Sequence, residues 1–328
     1  MPRPIGLTTT IPPEILFAAG YCPVDLNNVF VAESKNNDWV SQAERDGFPA
    51  QTCAWIKGLY TTLHKLNLHD VVGIVEGDCA ETKTLGSIWK SEGITVYPFV
   101  FPSSRDIADM ARELDRFLPL IGTNRDAVMR EKARLDGIRQ RALEGYTLAN
   151  NGNVRGSDLF SMLLLLCDFM GNPDVCAAEI DRRISQWETE ENRDFVRLAC
   201  VGVPTIWSDL WDVAESAGAR FVDFETPRQF ALFSGIGLSI EETLVRYTYT
   251  APMDMRLLDM HNILRERKID GVVHYTQSFC HRQIEDKLWR KELKVPLLTL
   301  EADRPGKIDE RSKTRLEAFI ERLSVNRL

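Results

Sequence analysis

The strongest constraint on the fold is an alternation of short apolar runs with helix-length segments, interrupted once in mid-chain. Runs at 71–75 and 94–99 are followed by helical patterns at 79–91 and 105–118, after earlier ones at 14–19 and 53–66. Pro12 and Pro13 suit the first turn of the helix at 14–19, and Gly20 suits its end. Alternation resumes with runs at 196–201, 220–224, 271–275 and 295–300, and with helices near 205–217, 239–247, 254–268, 280–293 and 309–323. This order implies parallel sheets. Between the two stretches the strand signals stop, and 125–148, 157–170 and 173–190 read as helices, separated by Asn150-Asn151-Gly152-Asn153 and Gly171-Asn172. The expected architecture is α/β. It has an N-terminal α/β domain (1–122), a helical segment (123–193) and a C-terminal α/β domain (194–328), with no sequence-level repeat between the two α/β parts.

Composition narrows the function classes. The 328 residues carry a net charge of −8, without the basic stripe expected of a nucleic-acid binder. The longest apolar run, 160–170, is too short for a membrane span. The start, Met1-Pro2-Arg3-Pro4-Ile5, lacks a secretory pattern, so a cytoplasmic protein is expected. Seven cysteines without a signal peptide argue against a disulfide framework. Cys22, Cys167, Cys176 and Cys200 read as small buried hydrophobes.

The other three, Cys53, Cys79 and Cys280, sit where loops enter helices, in Phe48-Pro49-Ala50-Gln51-Thr52-Cys53, Gly77-Asp78-Cys79 and Gln277-Ser278-Phe279-Cys280. Ends of parallel strands form the usual ligand crevice, and a helix N-terminus favours an anion. Three thiolates in an interdomain cleft would hold an iron–sulfur cluster with one iron open. Zinc completed by His281 is a competing reading, as is a Cys280 nucleophile with His281 as base. Neighbouring residues on a starting helix point about 100° apart, which counts against both. Glu76 and Glu285 join Asp78 and Glu81 as carboxylates near these cysteines, suited either to helix-start electrostatics or to acid–base work. His274 reads as a core imidazole within a strand. No G-x-x-x-x-G-K-[ST] loop and no G-x-G-x-x-G fingerprint is present.

These segments resemble the 2-hydroxyacyl-CoA dehydratase and benzoyl-CoA reductase family, in particular its D-subunit-like iron–sulfur component. The likeness runs from Ile11-Pro12-Pro13-Glu14-Ile15-Leu16-Phe17-Ala18-Ala19-Gly20-Tyr21-Cys22-Pro23 through the cysteine segments. It ends in Arg265-Glu266-Arg267-Lys268-Ile269-Asp270-Gly271, Cys280-His281-Arg282-Gln283-Ile284-Glu285 and Leu298-Thr299-Leu300-Glu301-Ala302-Asp303. The resemblance implies two Rossmann-like domains holding a 4Fe–4S cluster on Cys53, Cys79 and Cys280. It also implies an ATP-hydrolysing iron–sulfur activator as partner, a second homologous subunit or a homodimer, and an acyl-CoA substrate dehydrated by a ketyl radical route. A related branch carries a double-cubane cluster and reduces small molecules, and a subunit that only relays electrons is a further alternative. Glu76, His281 and Glu285 are the candidates for proton transfer.

Overall fold

The computed structural model describes residues 2–9, 11–150, 154–187, 195–246 and 250–325. Its strands are β1 (Arg3–Leu7), β2 (Tyr21–Asp25), β3 (Asp70–Glu76), β4 (Thr95–Val100), β5 (Val196–Gly202), β6 (Ala219–Phe224), β7 (Gly271–Gln277) and β8 (Leu297–Ala302). The first helices are α1 (Pro13–Ala18), α2 (Leu26–Ala32), α3 (Asn36–Arg45), α4 (Ala54–Lys65), α5 (Ala80–Ser91) and α6 (Ile107–Ile121). Then follow α7 (Arg125–Ala149), α8 (Gly156–Asp168) and α9 (Pro173–Gln186). The last group is α10 (Leu210–Ser216), α11 (Glu225–Phe230), α12 (Ile240–Val245), α13 (Met253–Glu266), α14 (Asp286–Glu292) and α15 (Glu310–Val325). No helix among the described residues is long and apolar enough to cross a membrane.

The strands form two four-stranded, wholly parallel sheets, ordered β2-β1-β3-β4 and β6-β5-β7-β8. The two Rossmann-like domains therefore share one connection pattern. In each, the chain starts in an inner strand, steps to an edge, crosses back to the other inner strand and ends on the opposite edge. The order reverses between β1 and β3, and again between β5 and β7. Alternating side chains serve both faces, as the two-residue period of a strand requires. Val72 and Ile74 pack with α1 and α6 residues, while Val71 packs with α4 and α5. Likewise Leu198 and Cys200 face one core, Ala199 and Val201 the other.

The structure corrects the sequence reading in several places. Strands β1 and β2 were not anticipated. Pro4 and Pro23 remove ladder donors, and β2 tolerates Pro23 because it is an edge strand. The helix expected at 205–217 begins only at Leu210, after an irregular stretch in which Trp207 bridges Gly306. The helix expected at 280–293 starts as a 3-10 turn over His281–Glu285 and becomes α-helical at Asp286. The helix expected at 157–170 stops at Asp168, where Phe169 and Met170 both turn left-handed. The Asn151-Gly152-Asn153 separator, residues 188–190 and residue 247 lie outside the described residues.

The helices after the first sheet pack against both halves: α7 on α1, and α8 on β2, α11 and β6. The α1–α7 contact contains a fully buried ion pair. Arg139 Nη2 donates to Glu14 Oε2 at 2.8 Å, and Arg139 Nη1 donates to Asp136 at 3.0 Å. A buried charge pair is weak evidence of net stabilisation, but removing one partner strands the other charge. Arg139→Met is expected to cost about 3–5 kcal/mol, and adding Glu14→Leu should recover most of that loss. Denaturant unfolding of the single and double variants checks this, and simple additivity of the two losses would refute the coupling.

Candidate functional site

Both sheet reversals open onto one cavity. Its wall includes Thr8 and Thr9 after β1, Asp78 and Cys79 after β3, Val203, Pro204 and Thr205 after β5, and Cys280 after β7. In an open parallel sheet the strand carboxyl ends at an order reversal diverge and leave a crevice; here two such crevices share a space. Cys53 enters from the start of α4, and α2, α8 and α11 close the rest with Asn27, Asn28, Val31, Phe160, Leu164 and Phe230. The cavity volume is about 90 Å³.

Local backbone chemistry sets the cysteines in place. Cys53, Cys79 and Cys280 are the N-cap residues of α4, α5 and the 3-10 turn before α14. Gly77, with φ +89°, makes the turn out of β3; a Cβ there would lie 2.6 Å from Phe101 Cβ and 2.7 Å from its carbonyl oxygen. Gly202 does the same after β5, with φ +102° and its missing Cβ directed onto the Tyr275 carbonyl. Neither turn accepts a side chain. Beyond Cys280, Glu285 anchors the 3-10 turn by ion pairs to Arg282 (2.8 Å) and to Arg256 (2.6 Å), which is itself forked onto buried Glu225 at 2.6 and 2.8 Å.

The thiols influence one another. Burial, then the proximity of Cys280, pushes Cys53 up to about 12. Burial pushes Cys280 up to about 11, with Cys79 adding to the shift, and burial raises Cys79 as well. Opposing this, amide N–H groups at the helix starts favour the thiolates: Trp55 and Ile56 for Cys53, Glu81 and Thr82 for Cys79, and Arg282 for Cys280. The arrangement stores protonated thiols unless a cation arrives to bind them. Among the described residues, no three Cys, His, Asp or Glu side chains gather around a point as ligands of one ion would. The other four cysteines do not line the cavity; Cys167, Cys176 and Cys200 are buried, and Cys22 donates to the Gly171 carbonyl at 3.4 Å.

Of the candidate proton-transfer groups, none lines the cavity. Glu76 and His281 are exposed, and Glu285 is occupied in the ion pairs above. His274 is fully buried, with Nδ1 2.9 Å from Asp286. Two other groups stand out. Trp55 Nε1 and Asp78 Oδ1 are buried without a hydrogen-bond partner, and both residues line the cavity. Such orphaned atoms call for an explanation, and a ligand is one. Asp78 was visible in the sequence as a carboxylate beside Cys79. Trp55 was missed, although it lies in the first turn after an N-cap cysteine, where side chains share the cap's surroundings.

The far wall rests on a buried acid pair. Asp25 caps α2, accepting from the Asn27 and Asn28 amides at 2.8 and 3.3 Å, and its own N–H donates to Asp168 Oδ2 at 2.9 Å. Burial, then Asp25, pushes Asp168 from 3.8 up to about 6, and burial raises Asp25. A carboxyl raised on folding holds its proton while the unfolded chain ionises. Stability therefore falls as pH rises from about 4 to about 6 and stays lowered above that. Asp168→Asn should flatten this decline, while giving up one of the two backbone N–H bonds that the carboxylate accepts, from Asp25 and from Met170. Thermal unfolding between pH 4 and 8 measures it, and parallel profiles for the two proteins would rule it out.

No curated protein matches the chain significantly. A family model does, over residues 8–323, nearly end to end and including all three cavity cysteines. The chain belongs to the family described as 2-hydroxyglutaryl-CoA dehydratase, D-component.

Proposed function

We propose that the chain is the iron–sulfur subunit of a 2-hydroxyacyl-CoA dehydratase-type enzyme, with Cys53, Cys79 and Cys280 as ligands of a 4Fe–4S cluster. The observation that carries this reading is that these three cysteines, and none of the other four, line one cavity where both sheets reverse order. The donor set fits. Three soft sulfurs suit a cluster, and ligands spread over different irons need not converge on a point as those of a single zinc ion must. Thiols raised by burial gain most from a cationic partner, and the helix starts around them favour the anionic product.

When bound, the cluster supplies one electron at a time and an iron lacking a protein ligand, able to act as a Lewis acid. The chain itself supplies the enclosure. Trp55, Ile56, Leu59 and Phe160 exclude water from the space that a thioester radical anion would occupy, Trp55 Nε1–H is free to donate to a substrate oxygen, and Asp78 Oδ1 is free to accept. The reaction on this reading is loss of water from a 2-hydroxyacyl-CoA through a ketyl radical. The electron comes from a separate ATP-hydrolysing iron–sulfur activator, and a second homologous subunit or a second copy completes the enzyme. The lack of a phosphate loop in this sequence supports that division of labour.

Iron and acid-labile sulfide after strictly anaerobic purification test the assignment. About four of each per chain are expected for one cubane, while about eight irons would move the assignment to a double-cubane reductase. Cys53→Ser, Cys79→Ser and Cys280→Ser should each lose most of the iron, and Cys167→Ser should keep it. Full iron in all three variants would overturn the ligand set.

A further inference from the structure

Besides its cysteines the cavity is walled chiefly by Val31, Trp55, Ile56, Leu59, Phe160 and Leu164. Among the described lining residues there is no lysine, arginine or histidine, and the two ionisable groups other than the thiols are the carboxyls of Asp25 and Asp78. The polar donors are mostly committed. Asn27 Nδ2 donates to the Thr8 carbonyl (3.1 Å) and to Asp25 (2.9 Å), and Asn28 Nδ2 donates to the Leu164 carbonyl (3.0 Å). The Thr8 hydroxyl donates to the Val72 carbonyl at 3.4 Å. Of the cations near the cysteines, Lys57 holds Glu44 (2.7 Å) and the Ala50 carbonyl (3.0 Å), and Arg282 holds Glu285 while its charge also acts on Asp78 in the wall.

A ligand carboxylate placed here would lose its water and meet no cation among the described lining residues, next to two carboxyls, an arrangement that disfavours a charged ligand. An uncharged aliphatic chain meets no such penalty and gains from leaving water. We infer that the acyl group this cavity takes is a neutral, apolar chain, not the dicarboxylic chain in the family's description. The inference rests on the acyl-CoA reading above. The unpartnered Trp55 Nε1–H matches one neutral oxygen on the acyl group.

Pentanoyl-CoA and glutaryl-CoA share a five-carbon chain and differ by the terminal carboxylate. Neither carries the 2-hydroxyl, so neither turns over, and coenzyme A alone is the reference. Isothermal titration of the anaerobically purified protein should show pentanoyl-CoA binding at least tenfold tighter than glutaryl-CoA, with glutaryl-CoA no tighter than coenzyme A. Glutaryl-CoA binding as tightly as pentanoyl-CoA, or tighter, overturns the inference and leaves the acyl-CoA reading standing. If neither thioester binds better than coenzyme A, both fall together. Val31→Lys, at a half-buried position on α2 where a long side chain can enter from the rim, should shrink the preference at least tenfold. An unchanged preference in the folded variant counts against the cavity as the acyl site, and if the variant fails to fold the wild-type comparison still decides.

Discussion

Parallel pairing is the constraint from which the rest follows. Every strand of a parallel sheet delivers its carboxyl end to the same edge, so each returning connection must begin there. When the order reverses between two inner strands, the connections leave in opposite directions and a gap opens between them. This chain does so twice, at β1/β3 and β5/β7, and both gaps face one cavity. The cysteine positions are consequences. Cys79 and Cys280 are the first residues available after inner strands β3 and β7 once each turn is complete, and Cys53 caps the helix that leads into β3.

Holding one buried and two half-buried thiols together with two orphaned polar atoms in one apolar space runs against folding stability, so the surroundings must be rigid. Rigidity comes from sites of little freedom. Gly77 and Gly202 occupy conformations closed to other residues, and Phe279 turns left-handed (φ 67°) just before Cys280. The Glu225–Arg256–Glu285–Arg282 chain of ion pairs clamps the short 3-10 turn that a five-residue segment could not hold by its own hydrogen bonds. On the other side, Asp25 and Asn28 tie α2 to α8. The first and second halves also meet through Arg304, which forks onto Glu44 at 2.6 and 2.8 Å while Glu44 holds Lys57 of α4.

Much of this was legible because it is local. The apolar runs that became β3 and β7, and the loop-to-helix entries at Cys53 and Cys79, follow from patterns within a few residues. β1 and β2 were not legible because Pro4 and Pro23 interrupt the strand signal, and only pairing to neighbours distant in sequence makes them strands. The 3-10 turn after Cys280 depends on Arg256 and Glu225, far upstream, and has no local signature. The cavity wall was the least readable part. Phe160, Leu164 and Val203 look like ordinary core residues, and only the tertiary arrangement sets them beside Trp55 and Asp78.

The split of the three cysteines between the two sheets has a consequence in the time domain. Cys53 and Cys79 emerge during synthesis together, whereas Cys280 comes 201 residues after Cys79. At about 5–20 residues per second, that is a wait of roughly 10–40 s. Throughout that interval the first domain can fold around two thiols that have no third. A complete three-sulfur wall exists only when β7 has taken its place beside β5. Filling a site that needs all three is thereby tied to synthesis of the second sheet, and products that stop before Cys280 carry at most an incomplete site.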